Sequence, residues 1–158
     1  MAYSLTQIRL HWIVFILVAL QYLLHESIIA AWDQIQKGGT PAFDPLVTGH
    51  VVGGVLILAL VVWRIVLKLQ RGAPALPENE PPALKAVAQV THLGLYLLLI
   101  LMAVSGGTAW FGGVEFAAEV HEVLRIVLLA LVGLHVLGAL YQQFVLKSDV
   151  MQRMRKPG

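Results

Sequence analysis

The sequence contains no cysteine. Disulfides, thiolate metal sites, iron–sulfur clusters and haem attached through thioethers are therefore all excluded. Charge is scarce as well. Asp, Glu, Lys and Arg make up 13% of the 158 residues, about half of the roughly 25% usual in a soluble domain. Alternating polar and apolar residues, the mark of a barrel strand, are absent. So are internal repeats and low-complexity tracts. In their place stands apolar mass: hydrophobic residues reach 58%, and mean hydropathy is +0.78. A soluble domain of this size cannot bury that much apolar surface in one core, and a disordered chain would not carry it. What remains is an all-α integral membrane protein, one domain by length.

Four apolar stretches run from about Leu10 to Ala31, Leu46 to Leu67, Val87 to Trp110 and Ala118 to Phe144. Each is close to the ~20 residues that cross hydrocarbon as a helix. The first is long and leads into HESIIAAWDQ rather than a small-residue cleavage motif, so it is expected to be retained. The connectors are QKGGTPAFDP, RGAPALPENEPP and GGTAWFGGVE. Prolines are expected to stop helices in the second, and glycines to turn the chain in the third.

Charge supplies an orientation. Nine of the eleven basic residues (Arg9, Arg64, Lys68, Arg71, Lys85, Lys147, Arg153, Arg155 and Lys156) fall on one side of such a four-span chain. Lys37 and Arg125 fall toward the other, with Glu26, Asp33, Asp44, Glu115, Glu119 and Glu122. The positive-inside rule then predicts an up-down-up-down four-helix bundle with both termini cytoplasmic. Trp12, Trp32, Trp63 and Trp110 lie near span ends, where interfacial anchors belong.

Six histidines in so apolar a chain require a reason, because an ionisable group inside a bilayer is costly. His121 and His135 share the fourth span, 14 positions apart. That separation is about 21 Å along a helix, and the turn is about 40° short of four full revolutions. Both side chains therefore face nearly one way, at two depths, into the bundle. Antiparallel topology brings His50, at the outer start of span two, level with His121. It brings His11, at the cytoplasmic start of span one, level with His135. Imidazoles facing each other across a bundle core are an axial ligand set for haem b. Two such pairs make a path for electrons across the membrane.

Other readings exist. A lone helix histidine often serves only in hydrogen-bonded packing. A zincin helix would need a second histidine four residues after His121, where Arg125 stands. A histidine proton relay lacks an intramembrane acid, and a transporter would need broken helices in repeated halves. Gly53 and Gly54, after His50, and Gly138, after His135, offer either clearance for a porphyrin or ordinary small-residue packing. Arg64 and Arg125 are candidate propionate partners, with a positive-inside anchor the alternative for Arg64. His92 is a candidate quinone or propionate contact, or an interhelical hydrogen bond. His25 is expected at the interface without a cofactor.

Taken together, RLHWIVFILV, GHVVGGVLILALVVWRIVLKL, THLGLYLLLILMAVSG, VHEVLRIVLLALVGLHVLGALY and the basic tail DVMQRM resemble the prokaryotic cytochrome b561 family, related to the cytochrome b subunits of nickel–iron hydrogenases. The resemblance spans nearly the whole chain. It implies one transmembrane cytochrome b domain over residues 1–158 with two non-covalent haem b groups on His11, His50, His121 and His135. It also implies electron exchange with ubiquinone or another membrane quinone, in a bacterial inner membrane. Many relatives carry a His doublet where this chain has Gln142 and Gln143. Glutamine hydrogen-bonds but does not exchange protons, so quinone chemistry there would rest on His92 or nearby bases.

Three functions follow as expectations. The first is transmembrane electron transfer. The second is superoxide:quinone oxidoreduction, which the acidic outer side disfavours because superoxide is an anion. The third is a membrane anchor for a periplasmic redox protein or a respiratory complex. Besides the lipid bilayer and quinone, no nucleic-acid partner is expected.

Overall fold

The computed structural model describes residues 2–74 and 80–157. Helices α1 (Leu5–Leu23), α2 (Glu26–Gln36), α3 (Pro45–Arg71), α4 (Pro82–Gly112), α5 (Glu115–Phe144) and α6 (Val150–Arg153) follow in order, with no strand among the described residues. Four of them, α1, α3, α4 and α5, are long and apolar enough to cross a membrane. The chain is an all-helical protein with four candidate spans, and both of its described ends lie on one side. That side is called the terminal side below, and the other the far side.

Local chemistry sets the ends. Ser4 caps α1 through a reciprocal box: its Oγ accepts from Gln7 N at 3.3 Å, and Gln7 Oε1 accepts from Ser4 N at 2.9 Å. Asp44 caps α3 by accepting from Leu46 N at 2.7 Å, ahead of Pro45 at the first helical position. Helix α3 stops at Gly72 (φ 73°), with Lys68 and Arg71 in its last turn, where cations complement the macrodipole.

Three boundaries depart from the expected ones. The stretch expected as one span over residues 10–31 is divided. His25 Nδ1 donates to Tyr22 O at 2.8 Å, occupying the carbonyl that a continuing helix would offer to Glu26 N. The chain turns there, and α2 leaves as a separate helix against α3. The second departure is at Pro82, which begins α4 instead of delaying it, since a first-turn residue needs no N–H partner. The third concerns Gly106 and Gly107, which lie inside α4 rather than in a turn. The connector to α5 is only Gly113 (φ 65°) and Val114.

Packing runs from α1 to α3, α3 to α4 and α4 to α5, with α2 on α3 and α6 on α5. Val14, Ile57 and Val61 form the core where α1, α3 and α4 meet, flanked by Leu17, Tyr96 and Leu99. Large apolar residues such as Phe15, Ile16, Val62, Leu93, Ile126 and Leu137 face outward on the spans. In a bilayer that outer surface meets lipid rather than water.

Candidate functional site

Helix α5 carries both histidines of its inner face to partners on other helices. On the far side, His50 of α3 faces His121 with ring centroids 6.5 Å apart and planes at 70°. On the terminal side, His11 of α1 faces His135 at 6.1 Å and 61°. Both pairings expected from the sequence are brought together. In each case the rings bridge helices that are not close packing neighbours.

The far-side pair opens onto a largely apolar cavity of about 500 Å³, within the range of small-molecule and cofactor sites. Its walls include His25, Gly54, Met102, Gly106, Trp110 and Arg125. The His121 ring is held from behind. Its Nδ1 donates to Met102 O at 2.9 Å, with Ser105 Oγ at 3.1 Å. This bond fixes the tautomer and leaves the Nε2 lone pair for a ligand, as in metal sites where the other ring nitrogen is tied down. Gly106 makes the seat: a Cβ there would stand 2.9 Å from His121 Cε1. His50 Nδ1 is buried with no partner.

The two glycines expected beside His50 behave differently. A Cβ at Gly53 would overlap Gln21 Nε2, which donates to His50 O at 3.0 Å, so this glycine serves helix packing. Gly54 and Gly138 face open space.

The terminal-side cluster is larger than a pair. His92 of α4 stacks edge-on against His135 at 5.1 Å, nearer than His11. This is a ring contact between helices, and His92 sits beside the proposed ligand pair rather than apart from it. Trp12 packs edge-on against His11 at 5.3 Å. Arg64 reaches back from α3, donating to Gln7 O at 3.2 Å and to His11 Nδ1 at 3.4 Å. On the far side Arg125 donates to His25 Nε2 at 3.2 Å while Tyr22 Oη donates to Arg125 O at 2.6 Å. His25 is therefore a structural link between α1 and α5.

Gln142 lies below the cluster, seven residues after His135 on α5. Its Nε2 donates to Glu80 Oε1, and its Oε1 accepts from Ser148 Oγ at 2.8 Å. Sequence reasoning missed Glu80 and Ser148. ENEPP reads as a solvated connector, and nothing local signals that Glu80 folds inward to 6% exposure.

The donor sets suit a two-ligand metal. The facing imidazoles of each pair, with centroids 6.1 and 6.5 Å apart, would be the residues to hold a haem iron, which would supply one-electron chemistry there. Among the described residues no three His, Asp or Glu side chains are arranged to hold a bare metal ion. A helical bundle with facing imidazoles at two depths is the architecture of a membrane redox protein that holds haem between its helices.

Known proteins agree with that class. The family model for prokaryotic cytochrome b561 matches residues 2–157. The chain is 34% identical to "Cytochrome b562" of Cereibacter sphaeroides, over 98% of this chain and 96% of the relative. It is 30% identical to "Probable superoxide oxidase CybB" of Yersinia pestis, over 96% and 94%. It is 25% identical to "Cytochrome b561 homolog 1" of Escherichia coli, over 96% of each. The chain belongs to the prokaryotic cytochrome b561 family. It is a multi-pass membrane cytochrome b with a role in electron transfer, and the family implies haem b as its cofactor.

Proposed function

We propose that residues 1–158 act as one transmembrane cytochrome b domain, carrying electrons between a far-side partner and membrane quinone through two haem b groups. His50 and His121 hold the far-side haem, and His11 and His135 hold the other. The observation that carries this reading is that one helix, α5, presents two histidines on one face, each opposed by a histidine of another helix at 6.1 and 6.5 Å. Haem supplies the reversible one-electron chemistry. The protein's part is to orient ligands, exclude water and place charge.

Each residue has a derivable task. Met102 O holds His121 in the tautomer that ligates through Nε2. Arg64 donates into His11 Nδ1, so ligation through His11 Nε2 requires the guanidinium to release the ring. Once released, Arg64 is free to pair with a propionate on the terminal side. Arg125, a wall of the far-side cavity, takes the same role there. The basic residues of the terminal side support a cytoplasmic placement of both termini and an inner-membrane location.

Haem content tests the reading. The purified protein is expected to carry two non-covalent b haems per chain. His121→Ala and His135→Ala are each expected to retain one, with different reduced-minus-oxidised spectra. One haem in the parent, or unchanged content in both variants, would overturn the assignment.

A second reading takes its support from the relative named a probable superoxide oxidase. In it the far-side haem accepts electrons from superoxide and quinone receives them. Against it stands the far-side charge: Glu26, Asp33, Asp44, Glu115, Glu119 and Glu122 face only Lys37 and Arg125. Arg125 is already engaged with His25.

A further inference from the structure

Glu80 is the described acidic residue that the fold buries, at 6% exposure. Only half of its carboxyl is satisfied. Oε1 accepts from Gln142 Nε2, whereas Oε2 is buried and has no hydrogen-bond partner. A buried carboxyl oxygen without a partner costs free energy.

The surroundings hold the carboxyl in place. Lys147 takes a left-handed conformation (φ 52°) just after α5 and folds the chain back. Ser148 then donates twice to Gln142, from N to O at 2.9 Å and from Oγ to Oε1 at 2.8 Å. With its oxygen committed to Ser148, the Gln142 amide turns its NH2 to Glu80. The carboxyl thus has one oxygen fixed and the other buried without a partner. Gln142 lies about 10 Å along α5 from His135, on the terminal side of the histidine cluster.

Resting on the quinone-linked reading above, we propose that Glu80 is the proton-exchanging catalytic residue of a quinone site at the terminal side, with Gln142 and Ser148 as its positioning residues. A carboxyl suits both redox forms of the ligand. Ionised, its Oε2 accepts from a quinol hydroxyl; protonated, it donates to a quinone carbonyl. Gln142 has no proton to exchange, and Glu80, bonded to it, does.

In quinol oxidation the steps balance. The quinol hydroxyl hydrogen-bonds to Oε2. As one electron leaves for the cytochrome, the quinol O–H bond breaks and an O–H bond forms on Glu80. Glu80 then releases the proton to terminal-side water. Two such rounds remove two electrons and two protons and leave quinone. Quinone reduction runs the same steps backwards, with Glu80 reprotonated from water.

The test uses full-length, haem-loaded protein and a short-chain ubiquinol. Rapid mixing follows haem reduction by the quinol, and dithionite spectra report haem content and integrity. Glu80→Gln is expected to slow quinol-driven reduction by on the order of 10²-fold, the scale of a lost general base, with the dithionite spectrum unchanged. A carboxyl infrared difference signal on quinol addition is expected in the parent and absent in the variant. Ser148→Ala is expected to slow the reaction several-fold and raise its solvent deuterium isotope effect. If Glu80→Gln fails to load haem, Glu80→Asp decides: several-fold slowing with a larger isotope effect supports the proposal, and the parent rate overturns it. A quinol-reactive parent whose Glu80→Gln variant keeps parent kinetics overturns the Glu80 assignment alone and leaves Oε2 to a bound water. A parent inert to quinol sinks the quinone reading, and this assignment with it.

Discussion

Two adjacent glycines on α4 show how much one missing methyl group matters. A Cβ at Gly106 would stand 2.9 Å from Cε1 and 3.0 Å from Nδ1 of His121, whereas at Gly107 it would meet nothing within 4 Å. The His121 ring cannot retreat freely, because its Nδ1 is bonded to Met102 O. Gly106→Ala is therefore expected to displace the ring at a cost of about 1–3 kcal/mol, the range for overpacking. The readout is loss or spectral change of one of the two proposed haems, detected in the reduced-minus-oxidised spectrum. Gly107→Ala is expected to leave the haem content and spectrum of the parent intact. Equal behaviour of the two variants would remove Gly106 from its role as the seat of His121. The same residue-level logic separates the two arginines. On the proposed ligation Arg64 must move off His11 for the site to load, while Arg125 touches His25 rather than either proposed far-side ligand.

The division of the first apolar stretch into α1 and α2 is a matter between elements. His25 bonds at both ring nitrogens: Nδ1 to Tyr22 O of α1 and Nε2 to Arg125 of α5. Tyr22 Oη returns a bond to the backbone of the same arginine. One knot thus fixes the end of α1, the departure of α2 and the position of α5. Tyr22→Phe deletes one hydrogen bond and is expected to cost about 0.5–1.5 kcal/mol. His25→Leu removes both ring contacts and strips a polar wall from the far-side cavity. It is expected to lower the thermal midpoint further than Tyr22→Phe and to weaken retention of the proposed far-side haem. Thermal melts of the haem absorbance check the order, and a more damaging Tyr22→Phe would contradict it. At the other end Trp12 Nε1 donates to Met154 O at 2.9 Å, tying the segment after α6 to α1.

For the whole molecule the informative quantity is the asymmetry of charge. Nine basic residues collect on the terminal side, and six acidic ones against two basic on the far side. An anion approaching from the far side meets repulsion, which salt screens over a Debye length of about 8–10 Å. Superoxide added to the oxidised protein is therefore expected to reduce haem slowly, and faster as ionic strength rises. Fast reduction that slows with added salt would reveal a positive funnel and favour the oxidase reading. A cationic redox partner is expected to show the reverse trend, with electron transfer fastest at low salt.

Much of this protein is set by composition and spacing. Apolar stretches of near-bilayer length make four spans, because only helices satisfy every backbone group within one segment. The 14-residue separation of His121 and His135 places them on one face at two depths, because helical pitch is constant. Their opposition to His50 and His11 follows from antiparallel order. What periodicity cannot express is contact between distant side chains. The end of α1 depends on a ring at His25 engaging Arg125, 100 positions away. The seat for His121 depends on α4 continuing through a glycine pair that reads locally as a turn. His92 reaches His135 only because α4 packs beside α5. Glu80 looks solvated in a charged, proline-rich connector but is buried in the fold, bonded to Gln142, whose other amide atom Ser148 holds. Spans and ligand register are properties of local order along the chain, whereas these four features belong to the packed tertiary structure.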